Sequence, residues 1–180
     1  MFHVVLHEPE IPNNTGNIGR TCVALGATLH LIHPLGFELS AKACRRAGLD
    51  YWPRLTWREH EGWDAYLRDE RPERVWALST HGTRSVFDAD LRMGDALLFG
   101  AETRGLPESV RQSLPPERVL RLPMAEGERS LNLATAVCAV AYEGVRQEVA
   151  RGAAWAVGGV LRHSFRDERG SSPLPEGLGG

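Results

Sequence analysis

Short apolar runs recur along this chain, separated by longer stretches in which apolar residues return every three or four positions. The runs contain many Val, Leu, Ile and Phe residues and are followed by polar or Gly-bearing loops. This composition and length are typical of buried strands. We predict strands at residues 2–6, 28–32, 74–78, 96–100 and 119–122.

Helical stretches lie between these predicted strands. We predict helices at residues 14–25, 59–70, 107–113 and 131–151, with Gly26 ending the first. Strands that alternate with helices favour an α/β fold, a mostly parallel sheet covered by helices on both faces. We expect a single domain over residues 1–151 and a C-terminal extension over residues 152–180, weakly helical at 153–165 and then a flexible tail.

Composition narrows the function classes. No apolar run approaches the roughly 18 residues of a membrane span, and the chain opens on a predicted strand rather than a secretion signal, so we expect a cytoplasmic protein without membrane contact. The formal net charge of −2 argues against a uniformly basic nucleic-acid binder. Only Lys42 among the 21 Lys and Arg residues is a lysine, and this excess of arginine leaves local phosphate contacts open.

The cysteines and histidines show no spacing typical of a metal site. Three cysteines lie in helical stretches and are predicted to be reduced, buried thiols: Cys22, Cys44 and Cys138. Four histidines lie in or near predicted strands: His3, His7, His30 and His33. Because no further Cys/His cluster accompanies them, we expect no metal.

Three loops of unusual composition each follow a predicted strand. They are residues 13–20, which include the stretch Asn14-Thr15-Gly16-Asn17-Ile18-Gly19-Arg20, residues 99–107 and residues 122–132. Because the carboxyl ends of parallel strands lie at one edge of a sheet, we predict that the three loops form one shared pocket. Gly-bearing turns let a ligand approach the backbone closely. The permanently protonated Arg20, one turn into the first helix, indicates that the ligand carries a phosphate.

The three loops resemble, in order and spacing, motifs 1, 2 and 3 of the SpoU (TrmH) branch of the SPOUT RNA methyltransferases. The resemblance runs from Phe2 to about Gln147. Residues 4–12 and 45–51 are similar to the short, single-domain, TrmL/YibK-like members. That subgroup methylates the ribose 2′-hydroxyl of the tRNA wobble nucleotide, which is cytidine or a modified uridine.

The resemblance implies a C-terminal deep trefoil knot, which residue patterns alone would not predict. It also implies S-adenosyl-L-methionine as the cofactor, converted to S-adenosyl-L-homocysteine. On the family pattern, seven residues bind this cofactor: Leu78, Gly100, Glu102, Gly105, Leu122, Ser130 and Leu131. The residues themselves agree, since glycines admit a flat ring and the two leucines at strand ends can sandwich it.

The same resemblance assigns catalytic roles to Arg20, Asn14, Ser130 and Asn132. Arginine is a poor general base, so we expect Arg20 to clamp an RNA phosphate and orient the reacting hydroxyl. Asn14 and Ser130 have a second interpretation as helix caps. Four residues are expected to contact RNA: Arg20, His81, Arg104 and Arg129. His81 stands where relatives tend to have a lysine.

The last predicted helix is apolar around most of its circumference between Asn132 and Tyr142. Such a helix is buried on several sides, and its small residues suggest contact with a second copy of the chain. The family forms homodimers through this helix. We therefore expect a homodimer that binds the tRNA anticodon stem-loop with arginines from both copies.

Two other functions remain open from the sequence. The first is a ribosomal RNA ribose 2′-O-methyltransferase of the same branch, although those relatives usually carry an added N-terminal RNA-binding domain that we do not expect here. The second is a knotted RNA-binding protein without catalysis, against which the intact motif residues argue. A dinucleotide-binding oxidoreductase is excluded because no G-x-G-x-x-G follows the first strand.

Overall fold

Seven parallel strands form the central sheet of the described part of this chain. The structure is a computed structural model that describes residues 1–39, 50–152, 156–157 and 160–161. The strands are β1 His3–His7, β2 Thr28–Ile32, β3 Trp57–His60, β4 Val75–Leu78, β5 Arg84–Ser85, β6 Ala96–Phe99 and β7 Val119–Arg121. Their order across the sheet is β3-β2-β1-β6-β4-β7-β5. The described α-helices are α1 Pro12–Leu25, α2 Trp63–Glu70, α3 Glu108–Gln112 and α4 Leu133–Ala150.

Helices cover both faces of this sheet because successive strand residues point to opposite sides. On one face Val4 packs in a cluster with Ile18 of α1 and Val140 of α4. On the other face Val5 packs in a cluster with Tyr66 of α2 and Val110 of α3. The predicted α/β class, with a parallel sheet between two helical layers, is confirmed. The trefoil knot stays a prediction of the family resemblance.

The first helix begins and ends at the residues that its sequence favours. Pro12 occupies its first turn, where the missing N–H costs nothing, and Gly26 ends it in the left-handed conformation with φ 64°. Asn14 does not cap this helix. The residue at the cap position is Ile11, and Asn14 lies inside the helix, buried.

The structure contains strands that the apolar pattern did not predict. Strand β3 lies at one edge of the sheet and exposes Arg58 and Glu59, so it lacks an apolar run. The predicted helix at residues 59–70 therefore begins only at Trp63. Strand β5, at the other edge, has two residues. Edge strands are short and polar, which removes the signal that identifies buried strands.

The C-terminal extension differs from the expected weak helix where it is described. Strands β8 Ala156–Val157 and β9 Val160–Leu161 form an antiparallel pair. Apolar pairs on either side of a Gly-Gly dipeptide are a hairpin signal, which outweighs the weak helical periodicity. The rest of residues 153–180, Cys44 and residues 45–49 lie outside the described residues. Within the described ranges, no helix has the length and apolar content needed to cross a membrane.

Candidate active site

A cavity of about 380 Å³ opens at the carboxyl ends of β4, β6 and β7. Its volume lies within the usual range of small-ligand sites, roughly 300–1,000 Å³. All seven residues predicted to bind the cofactor line this cavity: Leu78, Gly100, Glu102, Gly105, Leu122, Ser130 and Leu131. Their position in one pocket agrees with the prediction from the sequence, and their roles stay predictions.

The loop after β6 folds back on itself to form one wall of the cavity. The N–H of Gly105 donates to the carbonyl oxygen of Ala101 at 2.8 Å, and these two residues form an isolated antiparallel bridge. A Cβ added at Gly100 would lie 2.1 Å from the backbone carbon of Gly105. Gly105 itself has φ 67°, in the left-handed region. Gly100 therefore has no room for a side chain, whereas Gly105 has the room but a backbone conformation that favours glycine.

The carboxylate of Glu102 joins this loop to the start of α1. Its Oε2 accepts from the backbone N–H of Glu10 at 2.8 Å, and its Oε1 accepts from Asn14 Nδ2 at 2.9 Å. The N–H of Ile11 also points at Oε1, at 3.3 Å. An ionised acceptor with several donors forms strong hydrogen bonds, so Glu102 holds the two loops in fixed positions.

Asn132 extends the same network to α4. Its Nδ2 donates to Asn14 Oδ1 at 2.9 Å, while its Oδ1 accepts from the backbone N–H groups of Ala134 and Thr135 at 2.9 and 3.3 Å. Asn132 therefore caps α4, and the interpretation of Ser130 as the cap is wrong. The chain Glu102–Asn14–Asn132 connects all three motif loops.

A second set of polar contacts closes the outer side of the same loops. The backbone N–H and hydroxyl of Thr103 donate to the carboxylate of Glu10 at 2.9 and 2.8 Å. These bonds, with the charge of Arg104, lower the pKa of Glu10. Arg104 pairs with Glu8 at 3.1 Å and with Glu10 at 3.4 Å.

Arg20 is not among the residues that line this cavity. Its guanidinium lies over the ring of Tyr51, 4.5 Å from the ring centroid, and Nη2 donates to Asp50 Oδ1 at 3.4 Å. The Tyr51 hydroxyl in turn donates to the carbonyl oxygen of Gly16. The side chain of Arg20 is 63% exposed. The first loop therefore does not line this cavity as expected, and Asn14 connects it to Glu102, which does.

The other residues expected to contact RNA do surround the cavity. His81, Arg104 and Arg129 all line it and are exposed. Sequence reasoning missed Arg121, which also lines the cavity and is exposed at the end of β7. Arg121 could have been found from the sequence, because it is the last residue of a strand whose carboxyl end lies at the pocket. The mouth of the cavity thus carries three arginines, which suit a phosphate backbone.

The comparison with known families agrees with this geometry. The model of the SpoU rRNA Methylase family matches residues 1–142. The chain belongs to this family. Those residues include the seven strands of the sheet and the described residues that line the cavity.

Individual proteins are similar to most of this chain. A protein from Acidovorax sp. named tRNA (cytidine(34)-2′-O)-methyltransferase is 52% identical over 82% of this chain and 92% of its own. A solved structure that concerns 2′-OH methylation of C/U34 on tRNA is 51% identical, with a TM-score of 0.77, over 84% of this chain and 98% of its own. The SpoU methyltransferase AviRb from Streptomyces viridochromogenes, in complex with AdoMet, is 29% identical, with a TM-score of 0.68, over 82% of this chain and 60% of its own.

Proposed function

We propose that this protein transfers a methyl group from S-adenosyl-L-methionine to the ribose 2′-hydroxyl of the wobble nucleotide of tRNA, as a tRNA (cytidine(34)-2′-O)-methyltransferase. The observation that carries the proposal is the single cavity lined by all seven residues predicted for the cofactor. The Acidovorax protein supports the substrate, since it carries that name and is 52% identical over 149 residues.

The residues of the cavity fit the cofactor. An added Cβ at Gly105 would meet no atom within 4 Å, so this wall of the cavity leaves room for a flat adenine ring, and Leu78 and Leu122 offer apolar surfaces at strand ends. Backbone groups of the loops at residues 99–107 and 122–132 would hold the adenine and the ribose. When bound, S-adenosyl-L-methionine supplies an electrophilic methyl group on a sulfonium.

The protein must make a ribose hydroxyl reactive, because an unactivated hydroxyl is a weak nucleophile. We assign to Arg20 the binding of an RNA phosphate beside the target ribose, which orients the hydroxyl and stabilises negative charge that develops on its oxygen. The exposed guanidinium on Tyr51 suits this role, since it is held in place and open to a large ligand. Asn14, Ser130 and Asn132 complete the site at the junction of the loops.

The RNA itself would lie across the mouth of the cavity. His81, Arg104, Arg121 and Arg129 supply donors there, and the partner is the anticodon stem-loop. We also propose that two copies of the chain pair through α4, which brings arginines of both copies to one RNA. This pairing explains how a chain with a net charge of −2 binds a polyanion. Such a substrate implies a cytoplasmic enzyme.

The test is a methylation assay. The full chain is incubated with labelled S-adenosyl-L-methionine and, in parallel, with unmodified total tRNA and ribosomal RNA, and the labelled nucleotide is mapped. Label on the ribose of the first anticodon position supports the proposal. Label in ribosomal RNA alone would assign the protein to the rRNA branch of the family. Cofactor binding without label in either RNA would identify an RNA-binding protein that no longer catalyses.

Arg20→Ala should lower turnover strongly and leave the affinity for S-adenosyl-L-methionine nearly unchanged, because Arg20 lies outside the cavity. Steady-state kinetics with tRNA and calorimetry with the cofactor measure the two quantities. Arg68→Ala, which removes an exposed arginine of α2, serves as the matched control and should change neither. An Arg20→Ala enzyme that turns over at the normal rate would rule out this role.

A further inference from the structure

A cluster of histidines and a glutamate lies on the α2 face of the sheet, and none of its members lines the cofactor cavity. His30 of β2 is fully buried, His60 ends β3, and Glu70 ends α2. Strands β2 and β3 are parallel neighbours, so their side chains on this face lie side by side. The cluster therefore joins the edge of the sheet to the helix that covers it.

The three side chains present their donor atoms to one point. His30 Nδ1 and His60 Nε2 are 3.0 Å apart, and Glu70 Oε1 lies 3.9 Å from the first and 3.8 Å from the second. A tetrahedral zinc ion with bonds of about 2.0–2.1 Å places its ligand atoms roughly 3.3–3.5 Å from one another. One observed distance is shorter than that range and two are longer. Shifts of the three side chains by a few tenths of an ångström would therefore bring their donor atoms to tetrahedral zinc distances.

The surroundings resemble the outer contacts of a metal site. The second nitrogen of His30, Nε2, lies 2.9 Å from His3 Nδ1, and the second nitrogen of His60, Nδ1, faces the Asp69 carboxylate at 4.0 Å. Partners of this kind fix the tautomer and the orientation of ligating imidazoles. Tyr66 packs edge-on against both rings, with centroids 5.3 and 5.2 Å away.

Charge in the cluster also suits a cation. The carboxylate of Glu70 brings a negative charge 3.9 and 3.8 Å from the ligating nitrogens of His30 and His60, and neutral imidazole is the form that binds metal. Arg58 Nη1 donates to both oxygens of Glu70 at 2.9 Å and opposes a cation, but each carboxylate oxygen keeps a further lone pair.

We propose that His30, His60 and Glu70 bind one divalent cation of the zinc class, which ties β2 and β3 to the end of α2. Two neutral imidazoles and one carboxylate are ligands that zinc accepts, and three protein ligands leave a fourth position for water. The sequence did not indicate this site, since His60 and Glu70 lie far from His30 along the chain and only the fold brings the three together.

Zinc binding to the purified full chain tests the proposal, after treatment with a chelator and without cofactor or RNA. Calorimetry with Zn²⁺ should show one tight equivalent, and Co²⁺ in its place should give the visible absorption of four-coordinate cobalt. Glu70→Gln and His60→Ala should each weaken Zn²⁺ binding by more than the roughly 10–100-fold that loss of an outer partner causes. Asp69→Asn, which removes an outer partner of His60, should weaken Zn²⁺ binding by roughly 10–100-fold.

His33→Ala is the matched control, because His33, directly after β2, and Glu59 of β3 form a similar pair at 2.6 Å to which no described residue adds a third ligand. It should leave the tight equivalent unchanged. Circular dichroism identifies any variant that fails to fold. If a variant fails to fold, the cobalt spectrum of the unaltered chain decides whether the cluster binds a metal ion. Absence of tight binding by the unaltered chain, or equal binding by Glu70→Gln, would show that the cluster is only a hydrogen-bonded network.

Discussion

Glu102 has a larger structural role than its place in a pocket loop suggests. It accepts from two backbone N–H groups and from Asn14, which in turn accepts from Asn132. A carboxylate in this position satisfies the N–H of Glu10 and the side-chain amide of Asn14, two part-buried donors that would otherwise lack this acceptor. One side chain thus fixes the relative position of the loop after β1, the loop after β6 and the start of α4.

Replacing Glu102 with Gln should therefore destabilise the protein. The amide offers one acceptor oxygen and turns an NH₂ group toward an N–H donor, so at least one hydrogen bond to a charged group is lost. We expect the free energy of unfolding to fall by about 1–3 kcal/mol. Urea unfolding measures this change.

Glu108→Gln is the control for that measurement, because Glu108 is exposed on α3 and accepts only from Gln112. It should change the unfolding free energy by less than about 0.5 kcal/mol. Equal stability of the Glu102→Gln protein and the unaltered protein would mean that the network does not hold the loops.

Among the elements, the loop after β6 determines the shape of the cavity. It turns back within five residues, from Ala101 to Gly105, and brings its own backbone against Gly100. Strand β6 lies in the interior of the sheet, paired with β1 and β4, so its end cannot move to accommodate a larger residue. The loop therefore requires glycine at position 100 because of the lack of space for a Cβ, and not because of the backbone conformation, which other residues also adopt.

Gly100→Ala should reduce the affinity for S-adenosyl-L-methionine by about 10-fold or more, since relief of an overpacked contact costs about 1–3 kcal/mol and displaces the cavity wall. Calorimetry with the cofactor measures the loss. Gly62→Ala is the control: Gly62 has an extended φ of 178°, and no atom lies within 4 Å of an added Cβ. Unchanged affinity in Gly100→Ala would show that the loop does not form the binding wall.

In the whole molecule, α4 presents an unusual outer face. One side packs on the sheet through Val137 and Val140. The opposite side exposes Ala139, Tyr142 and Val149 along one stripe, which also contains the exposed Arg146; Tyr142 and Val149 are 48% and 45% exposed. Large apolar side chains that are exposed on one helix face favour contact with another protein surface. This agrees with the proposed pairing of two copies through α4.

Tyr142→Asp should shift the protein toward the monomer, because it places a charge in the centre of the proposed contact. Sedimentation measured over a range of concentrations gives the dissociation constant. Phe87→Asp changes another exposed aromatic residue, which is 58% exposed and is not part of α4, and should have no effect. A Tyr142→Asp protein that keeps the assembly state of the unaltered chain would exclude α4 as the interface.

The local pattern of the sequence predicted the features that depend on residues close together along the chain, namely the buried strands, the helices and the end of α1. Five strands and the positions of the described α-helices follow from apolar periodicity, and Gly26 ends α1 because glycine adopts the left-handed conformation at little cost. The two loops that line the cavity follow from their position at strand ends in a parallel sheet, whereas the individual cofactor residues follow from the family resemblance. Apolar periodicity did not predict the edge strands β3 and β5, because their residues bury little apolar surface.

Only the tertiary structure decided how distant polar side chains pair. Asn14 and Asn132 are 118 positions apart, and nothing near either residue indicates that one amide binds the other. The same holds for His30 with Glu70, and for the placement of Arg20 on Tyr51 rather than in the cavity. A hydrogen bond depends on the direction of two side chains to within a fraction of an ångström, and that direction is set by the packing of the whole sheet and its helices.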